Sequence, residues 1–311
     1  MKESIRLSFG RELIRLAANH DFMICNADTK SCAIETFGEL YPDRNFTFGI
    51  AEQNLLSAAA GAALCGEKVF LATFAVFASM RACEQVRTFI CYPNLNVTIL
   101  ASHGGLQTGS DGATHIAVED MSIMRSLPNM TVVEPSDYVA GNKLARKSLD
   151  FNGPLYIRFP KASTEQIHDP EHYDITIGKA NYIREGTDVT FIASGWIISK
   201  ALDAAKELSA NGVSAAVLEM HTIKPLDEQA VLEAAAKTGA IVTVEDNTIF
   251  GGLGSAVAEV LIEKYPVPMK RIGVLDQFGE SGEPELLYAK NKMTVKDIAE
   301  AALSVISRKR T

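Results

Sequence analysis

The chain has 311 residues, of which 47% are hydrophobic and 22% charged, and its net charge is −8. That length allows two packed domains, and so large an apolar fraction excludes a disordered chain. The negative net charge, with basic residues scattered along the sequence, argues against binding to a nucleic-acid backbone.

The cysteines and the N-terminal stretch bear on the compartment. Five cysteines lie in the first third and form no C-x-x-C pair, which argues against a disulfide framework or a zinc site. The stretch MKESIRLSFGRELIRLAANH mixes charged and apolar residues at helical spacing, unlike a signal peptide. Apolar runs stay below the ~18 residues of a membrane span. We therefore expect a cytoplasmic protein without membrane contact, and buried thiols at Cys25, Cys32, Cys65, Cys83 and Cys91.

Short apolar runs alternate with helical patterns along the first half of the chain. The predicted strands are 22–26, 46–48, 69–72, 97–101, 131–133 and 155–158, and the helices between them include 52–65, 74–90 and 137–149. This alternation is typical of α/β domains, in which helices flank a mainly parallel sheet. Residues 1–165 are predicted to form one such domain.

A second alternation follows a break in the pattern. Residues 166–184 have mixed charge, a proline and no sustained periodicity, which predicts a linker. Within 185–311, predicted strands at 188–194, 213–220, 240–246 and 271–276 alternate with helices at 200–212, 226–239, 252–265 and the C-terminus. The fold class is therefore α/β, with two domains of mainly parallel sheets flanked by helices.

Glu52 lies in FTFGIAEQN, where a strand pattern changes into a helix pattern. Its side chain is expected at a helix N-terminus beside the carboxyl end of a strand, where open α/β sheets bind ligands. An acid in a first helical turn can also simply complement the helix dipole, which is worth about 0.3–1 kcal/mol. Taken alone, Glu52 favours this simpler interpretation.

A glycine-rich loop, SHGGLQTGSDGATH, follows the apolar strand NVTIL and carries His103, Asp111 and His115. Loops held by a rigid scaffold carry a large share of binding and catalytic residues. Two histidines and an acid in one such loop favour a site over isolated solvated side chains.

Phe74, Phe77 and Met80 recur at every third residue, which predicts that they share one helix face. Such a stripe packs in a core by default. The alternative is an apolar wall for a flat heterocycle.

Together, FGIAEQN, the aromatic pair of TFAVF and the pattern H-x7-D-x3-H resemble thiamine-diphosphate enzymes of the transketolase type. The resemblance covers nearly the whole chain: residues 1–165 resemble the pyrimidine-binding domain, and residues 185–311 the transketolase C-terminal domain. It implies transfer of a two-carbon ketol unit from a ketose or ketose phosphate to an aldose or aldose phosphate. Pentose phosphates are the default substrates.

The resemblance implies cofactor contacts for four residues. The glutamate matching Glu52 bonds the aminopyrimidine ring and promotes its imino tautomer, and burial favours a carboxyl that shares a proton. Phe74 and Phe77 match residues that flank this ring, and stacking of that kind is worth about 0.5–1.5 kcal/mol. Asp28, in CNADTKS, matches an aspartate near the cofactor at a subunit interface.

The resemblance also implies substrate contacts. His103 matches a catalytic residue that reaches the substrate phosphate, Asp111 one that binds a sugar hydroxyl, and His115 a catalytic residue near the reacting oxygens. Arg158, in LYIRFPK, matches a phosphate-binding arginine, whose forked donors suit a phosphate. Arg6 is a further candidate for the same cluster.

The sequence departs from the family pattern in the loop. Gly104-Gly105 stands where transketolases usually have Asp-Ser, so the contacts made by those side chains are absent and the resemblance does not set the acceptor preference. The glycine-rich run at 251–260 lacks the G-x-G-x-x-G spacing of a dinucleotide loop and predicts a helix start instead.

The family holds the diphosphate through Mg²⁺ on a separate domain that carries a Gly-Asp-Gly stretch. No Gly-Asp-Gly occurs in this sequence, so no metal ligand is assigned to it. The chain is therefore expected to be the C-terminal subunit of a split transketolase, with an N-terminal partner supplying the Mg²⁺ and diphosphate site in an α2β2 assembly.

Three alternatives stay open. A 2-oxo acid dehydrogenase beta subunit shares the two-domain plan but lacks the histidine seen at His103. A 1-deoxy-D-xylulose-5-phosphate synthase has an acidic residue there and is one longer chain. A noncatalytic subunit could also keep the fold, although the joint presence of Glu52, His103, Asp111 and His115 argues against it.

Overall fold

A computed structural model describes residues 2–29 and 31–309 of the chain. Within the described residues, the first half of the chain has eight strands, six α-helices and four shorter helical segments. The strands and helices are β1 (Lys2–Glu3), α1 (Ile5–Leu16), β2 (Met23–Asn26), α2 (Ile34–Leu40), β3 (Asn45–Thr47), α3 (Glu52–Leu64), β4 (Val69–Phe74), α4 (Cys83–Gln85), β5 (Val97–Ser102), α5 (Asp120–Ser126), β6 (Thr131–Val133), α6 (Tyr138–Asp150), β7 (Leu155–Arg158) and β8 (Thr164–Glu165). The shorter segments are 3₁₀-helical at Pro42–Arg44 and Leu106–Asp111 and π-helical at Phe77–Arg81 and Val86–Cys91.

The second half repeats the alternation of strands and helices. Its elements are β9 (Asn181–Arg184), β10 (Val189–Ala193), α7 (Ile198–Ala210), β11 (Ala215–Glu219), β12 (Thr222–Lys224), α8 (Glu228–Thr238), β13 (Ile241–Thr248), α9 (Leu253–Lys264), β14 (Met269–Val274), α10 (Pro284–Lys290) and α11 (Val295–Ile306). A 3₁₀ turn at Gly195–Ile197 precedes α7. Helix α9 starts inside the glycine-rich run at 251–260, as predicted.

Two mainly parallel sheets confirm the predicted α/β fold class. The first has the order β12-β6-β7-β5-β4-β2-β3 and the second the order β14-β13-β10-β11-β9. Only the edge strands β12 and β9 run antiparallel to their neighbours in these sheets, as far as the described residues show. Strands such as β5 and β10 are buried along their whole length, because helices cover both faces of a parallel sheet.

The second half of the chain contributes one strand to the first sheet. Strand β12, from the second half, pairs with β6 and so extends the first sheet. Strand β9 lies inside the predicted linker 166–184 but forms the edge of the second sheet. Residue propensities could not predict β9 or β12, because both strands are short and form only by pairing with strands elsewhere in the chain.

The segment after β4 differs from the predicted helix 74–90. Phe74 is the last residue of β4, and π-helical turns follow from Phe77. The predicted common helix face of Phe74, Phe77 and Met80 is therefore wrong, and Met80 is 41% exposed. π-helical turns occur frequently at functional sites.

The cysteines agree only in part with the predicted buried thiols. All five are free; Cys25, Cys32 and Cys91 are buried, whereas Cys65 is exposed, against the prediction. Among the described residues, none of the helices combines the length and apolar character needed to cross a membrane.

Candidate active site

The carboxyl edge of the first sheet brings together most of the residues singled out in the sequence. Because β7, β5, β4, β2 and β3 are parallel neighbours, the segments that follow them emerge along one edge. This edge carries, in that order, residues 159–161, the loop 103–115, Phe74, Asp28 and Glu52.

Glu52 is the first residue of α3, and its side chain is only 2% exposed. Its Oε2 accepts a hydrogen bond of 2.8 Å from Arg81 Nη1. The guanidinium therefore fixes the position of the Glu52 side chain at the start of α3. Sequence reasoning missed Arg81, which the π-helical segment Phe77–Arg81 turns toward Glu52.

Aromatic rings connect Glu52 to the histidine loop. The Arg81 guanidinium lies 3.9 Å from the centroid of the Phe77 ring, which stacks on Phe74 at 5.8 Å with planes 26° apart. Phe74 in turn lies 4.1 Å from the His103 ring, and His115 lies 5.4 Å from Phe77. The carboxylate, the two phenylalanines and the two histidines therefore form one continuous cluster.

His103 is held in an unusual environment. Its φ of 64° is in the left-handed region, which costs a non-glycine residue about 1–3 kcal/mol and is typical of functional sites. Nδ1 lies 3.0 Å from Ser102 Oγ. Burial lowers the pKa of His103 to about 4, and the Arg6 cation adds to this shift. The imidazole is therefore neutral near pH 7 and offers a hydrogen bond rather than a charge.

Asp111 and Lys161 supply the charges of this cluster. Asp111 Oδ1 accepts a hydrogen bond of 2.5 Å from Lys161 Nζ, and Oδ2 lies 3.9 Å from His103 Nε2. Burial alone would raise the pKa of Asp111, but the hydrogen bond and charge of Lys161 lower it, so this side chain is a carboxylate at neutral pH. Lys161 was missed in the sequence; its position three residues beyond β7, at the same sheet edge, was the available signal.

Arg158 does not face this cluster, and its assignment as a phosphate ligand is wrong in this structure. The side chain is fully buried between the domains and pairs with Asp120 and Glu134 at 3.0 and 2.7 Å. It also donates to the backbone oxygens of Ala117 and Asp246. Burial would lower the pKa of Arg158, but these carboxylates raise it. Every guanidinium nitrogen has a protein partner, so none is left for a substrate.

Two further candidates lie at the margins of the cluster. Arg6, at the start of α1, is half-buried and close enough to His103 to influence its pKa. Its Nε is buried without a hydrogen-bond partner, so this donor is available to a ligand. Asp28 is exposed in the loop after β2, where its N–H donates to Asn26 Oδ1. In residues 2–29 and 31–309, no three His, Cys, Asp or Glu side chains come together as a metal site.

Family models match both halves of the chain. The model of the transketolase pyrimidine binding domain matches residues 2–166, and that of the transketolase C-terminal domain matches residues 178–298. The two matches leave a short connection close to the predicted linker.

Individual relatives agree with these models. The 6-deoxy-6-sulfo-D-fructose transketolase subunit SqwH of Clostridium sp. (strain MSTE9) is 42% identical over 96% of this chain and 92% of that protein. The apulose-4-phosphate transketolase of Phocaeicola vulgatus has a subunit that is 35% identical over 97% of both proteins. A solved structure described as a split gene transketolase, inactive beta4 tetramer, superposes with a TM-score of 0.92 at 41% identity, covering 99% of each chain. The chain belongs to the transketolase family and is similar over its whole length to the C-terminal subunits of split transketolases.

Proposed function

We propose that this chain is the C-terminal subunit of a transketolase that transfers a two-carbon ketol unit between sugars with thiamine diphosphate. The observation that carries the proposal is the series of contacts that runs from Glu52 through Arg81, Phe77 and Phe74 to the two histidines His103 and His115. It places a buried carboxylate, a flat apolar wall and two imidazoles beside each other.

The pyrimidine half of the cofactor fits these residues. A flat ring suits the wall of Phe74 and Phe77, and the buried Glu52 carboxyl can hold a proton at a ring nitrogen. When bound, thiamine diphosphate supplies the nucleophilic carbon of the reaction. Arg81 orients Glu52, and His115 stands over Phe77, where it can exchange a proton with substrate oxygens. Asp28 is a further candidate for contact at the subunit interface.

Lys161 and Arg6 give the His103 side of the cluster two cations, which suit a sugar with an anionic terminus. Lys161 and Arg6 take the role first assigned to Arg158, because they lie beside His103 and Asp111 rather than between the domains. Asp111 can accept a hydrogen bond from a sugar hydroxyl. The relatives named for a sulfo-sugar and for a sugar phosphate have anionic substrates, so we propose a phosphorylated or sulfonated sugar, with pentose phosphates as the first to test.

The diphosphate and Mg²⁺ are proposed to lie on an N-terminal partner subunit. The sequence has no Gly-Asp-Gly stretch, and the described residues bring no metal-ligand cluster together. We propose an α2β2 assembly in the cytoplasm, in which the partner's diphosphate site meets the edge that carries Glu52.

The test is reconstitution with a partner chain that carries Gly-Asp-Gly. We expect ketol transfer from a sugar phosphate by the mixture, and no tight Mg²⁺-dependent cofactor binding by this chain alone in calorimetry. Decarboxylation of pyruvate without ketol transfer would instead indicate one of the 2-oxo acid enzymes. Tight cofactor binding by the isolated chain would contradict a split site.

Glu52→Gln tests the role of the carboxyl in the reconstituted complex. We expect kcat to fall about 10²–10⁴-fold, because glutamine fills the space but cannot exchange a proton. Glu67→Gln, just beyond the other end of α3 at an exposed position, is the matched control. Near-normal turnover of the Glu52 variant would mean that Glu52 only complements the helix dipole and takes no part in the reaction.

A further inference from the structure

The loop 103–115 and the residues just after it pack against the second domain as well as the first. Leu106, Ile116 and Val118 are buried in the same apolar cluster as Phe191, Val244 and other residues of the second domain. The backbone of Thr248 donates to Val118 O, and Gly282 donates to Gly109 O. The loop that carries His103 and Asp111 therefore depends on the second domain for its position.

Asp246 makes the central polar contact across this boundary. Its Oδ1 accepts a hydrogen bond of 2.9 Å from Leu106 N, three residues after His103. Its Oδ2 accepts bonds from Trp196 Nε1 at 3.0 Å and Tyr288 OH at 2.7 Å, which fix the carboxylate in place. Asp246 is fully buried, so water cannot replace these bonds.

Gly104 and Gly105 leave the space that this contact with Asp246 needs. Gly104 N donates to Phe159 O, and Gly105 N donates to Ala117 O. A Cβ on Gly104 would overlap the Arg158 side chain, and a Cβ on Gly105, whose φ is 68°, would overlap the Asp246 carboxylate. The missing side chains at 104 and 105 thus let Arg158 and Asp246 approach the loop backbone directly.

We infer that Asp246 is a positioning residue for the substrate loop: through Leu106 N it sets where His103 and Asp111 stand at the active site. The inference rests on the proposed function for its kinetic consequence but not for its structural one. Glu52 and Phe77 lie on first-domain elements outside this contact, so cofactor binding should be spared while substrate binding is not.

The main test is Asp246→Asn in the reconstituted complex, with Tyr288→Phe as the matched control. Both oxygens of the Asp246 carboxylate accept hydrogen bonds, one from Leu106 N and the other from Trp196 and Tyr288. An amide has one oxygen and one NH₂ group, so in either orientation its NH₂ group would point at an N–H donor of the protein. Tyr288→Phe removes one bond to the same carboxylate and leaves the bond to Leu106. We expect kcat/KM for the sugar phosphate to fall at least about tenfold in Asp246→Asn and less than about threefold in the control.

Hydrogen exchange of the isolated chain supplies a readout that needs no activity. Asp246→Asn should speed amide exchange in the peptide that contains 104–112, leaving peptides of β4 and α3 unchanged, and the cofactor Kd of the complex should stay within about twofold of wild type. If the wild-type complex shows no ketol transfer, the proposed function fails, and the exchange experiment still decides the inference.

Gly105→Ala approaches the same contact from the loop side and serves if Asp246→Asn does not fold. Its methyl group should push Leu106 N away from Asp246 and reproduce both effects. Equal losses in Asp246→Asn and Tyr288→Phe, or unchanged exchange in 104–112 for Asp246→Asn and Gly105→Ala, would overturn the inference.

Discussion

Arg158 and Lys161 lie three residues apart, and the structure predicts opposite consequences for their loss. Arg158→Met removes the only cation that faces Asp120 and Glu134 in the described structure and leaves both carboxylates buried without a charged partner. Breaking a buried pair in this way costs roughly 3–5 kcal/mol. At about 2–4 °C per kcal/mol for chains of this order of size, the melting temperature should fall by roughly 10 °C.

Lys161→Met should have little effect on stability, because its pair with Asp111 is about one-third exposed and such pairs contribute about 0–1 kcal/mol. The same substitution should lower kcat/KM for an anionic substrate about tenfold, since a lost charged hydrogen bond is worth roughly 1.5–3 kcal/mol. A nonphosphorylated donor such as hydroxypyruvate should be affected much less when measured without a phosphorylated acceptor.

Calorimetry and steady-state kinetics on the two variants separate the roles. The ratio of kcat/KM for a phosphorylated and a nonphosphorylated donor cancels any loss of folded enzyme. A stable Arg158→Met variant that selectively loses phosphorylated substrates would refute the buried-pair argument. Unchanged selectivity in Lys161→Met would remove Lys161 from the substrate site.

The remaining predictions concern Glu52's partner and the domain boundary. Arg81→Met should lower kcat about tenfold, because Glu52 loses the charged hydrogen bond that orients it, with Arg81→Lys recovering part of the rate; equal kcat in wild type and Arg81→Met would contradict this role. At the domain boundary, burial would lower the pKa of His168, but the Glu219 carboxylate 3.1 Å away raises it. The stabilisation is then complete below the unfolded pKa of about 6.5 and is lost as pH rises through the higher folded pKa. Denaturant unfolding should show a larger cost of His168→Gln at pH 6 than at pH 8.5; a cost independent of pH would mean that His168 stays neutral.

Local patterns in the sequence were enough to predict the architecture. Parallel strands buried on both faces are continuous apolar runs, and the helices between them have helical periodicity, so each element can be recognised from its own residues. The strands at 131–133 and 155–158 were predicted with the bounds that the structure has. Strands β9 and β12 were not, because their pairing depends on residues far away in the chain.

Much of the site could also be predicted, since the carboxyl ends of parallel strands meet at one edge. Glu52 at a strand-to-helix junction and the loop after β5 both follow from this rule. The π-helical turns that bring Arg81 to Glu52 could not, because the hydrophobic spacing in that segment suits an ordinary α-helix equally well.

Arg158 and Lys161, the two cations of LYIRFPK, show most clearly where prediction from the sequence ends. The sequence by itself determined that Arg158 and Lys161 lie close together, at the end of a predicted strand and three residues beyond it. Only the tertiary structure decided that Lys161 faces the loop while Arg158 turns into the boundary between the domains. The physical reason is that a charge can be buried only where opposite charges and hydrogen-bond acceptors surround it. For Arg158 these are the carboxylates of Asp120 and Glu134 and the backbone oxygen of Asp246, which come from three separate parts of the chain.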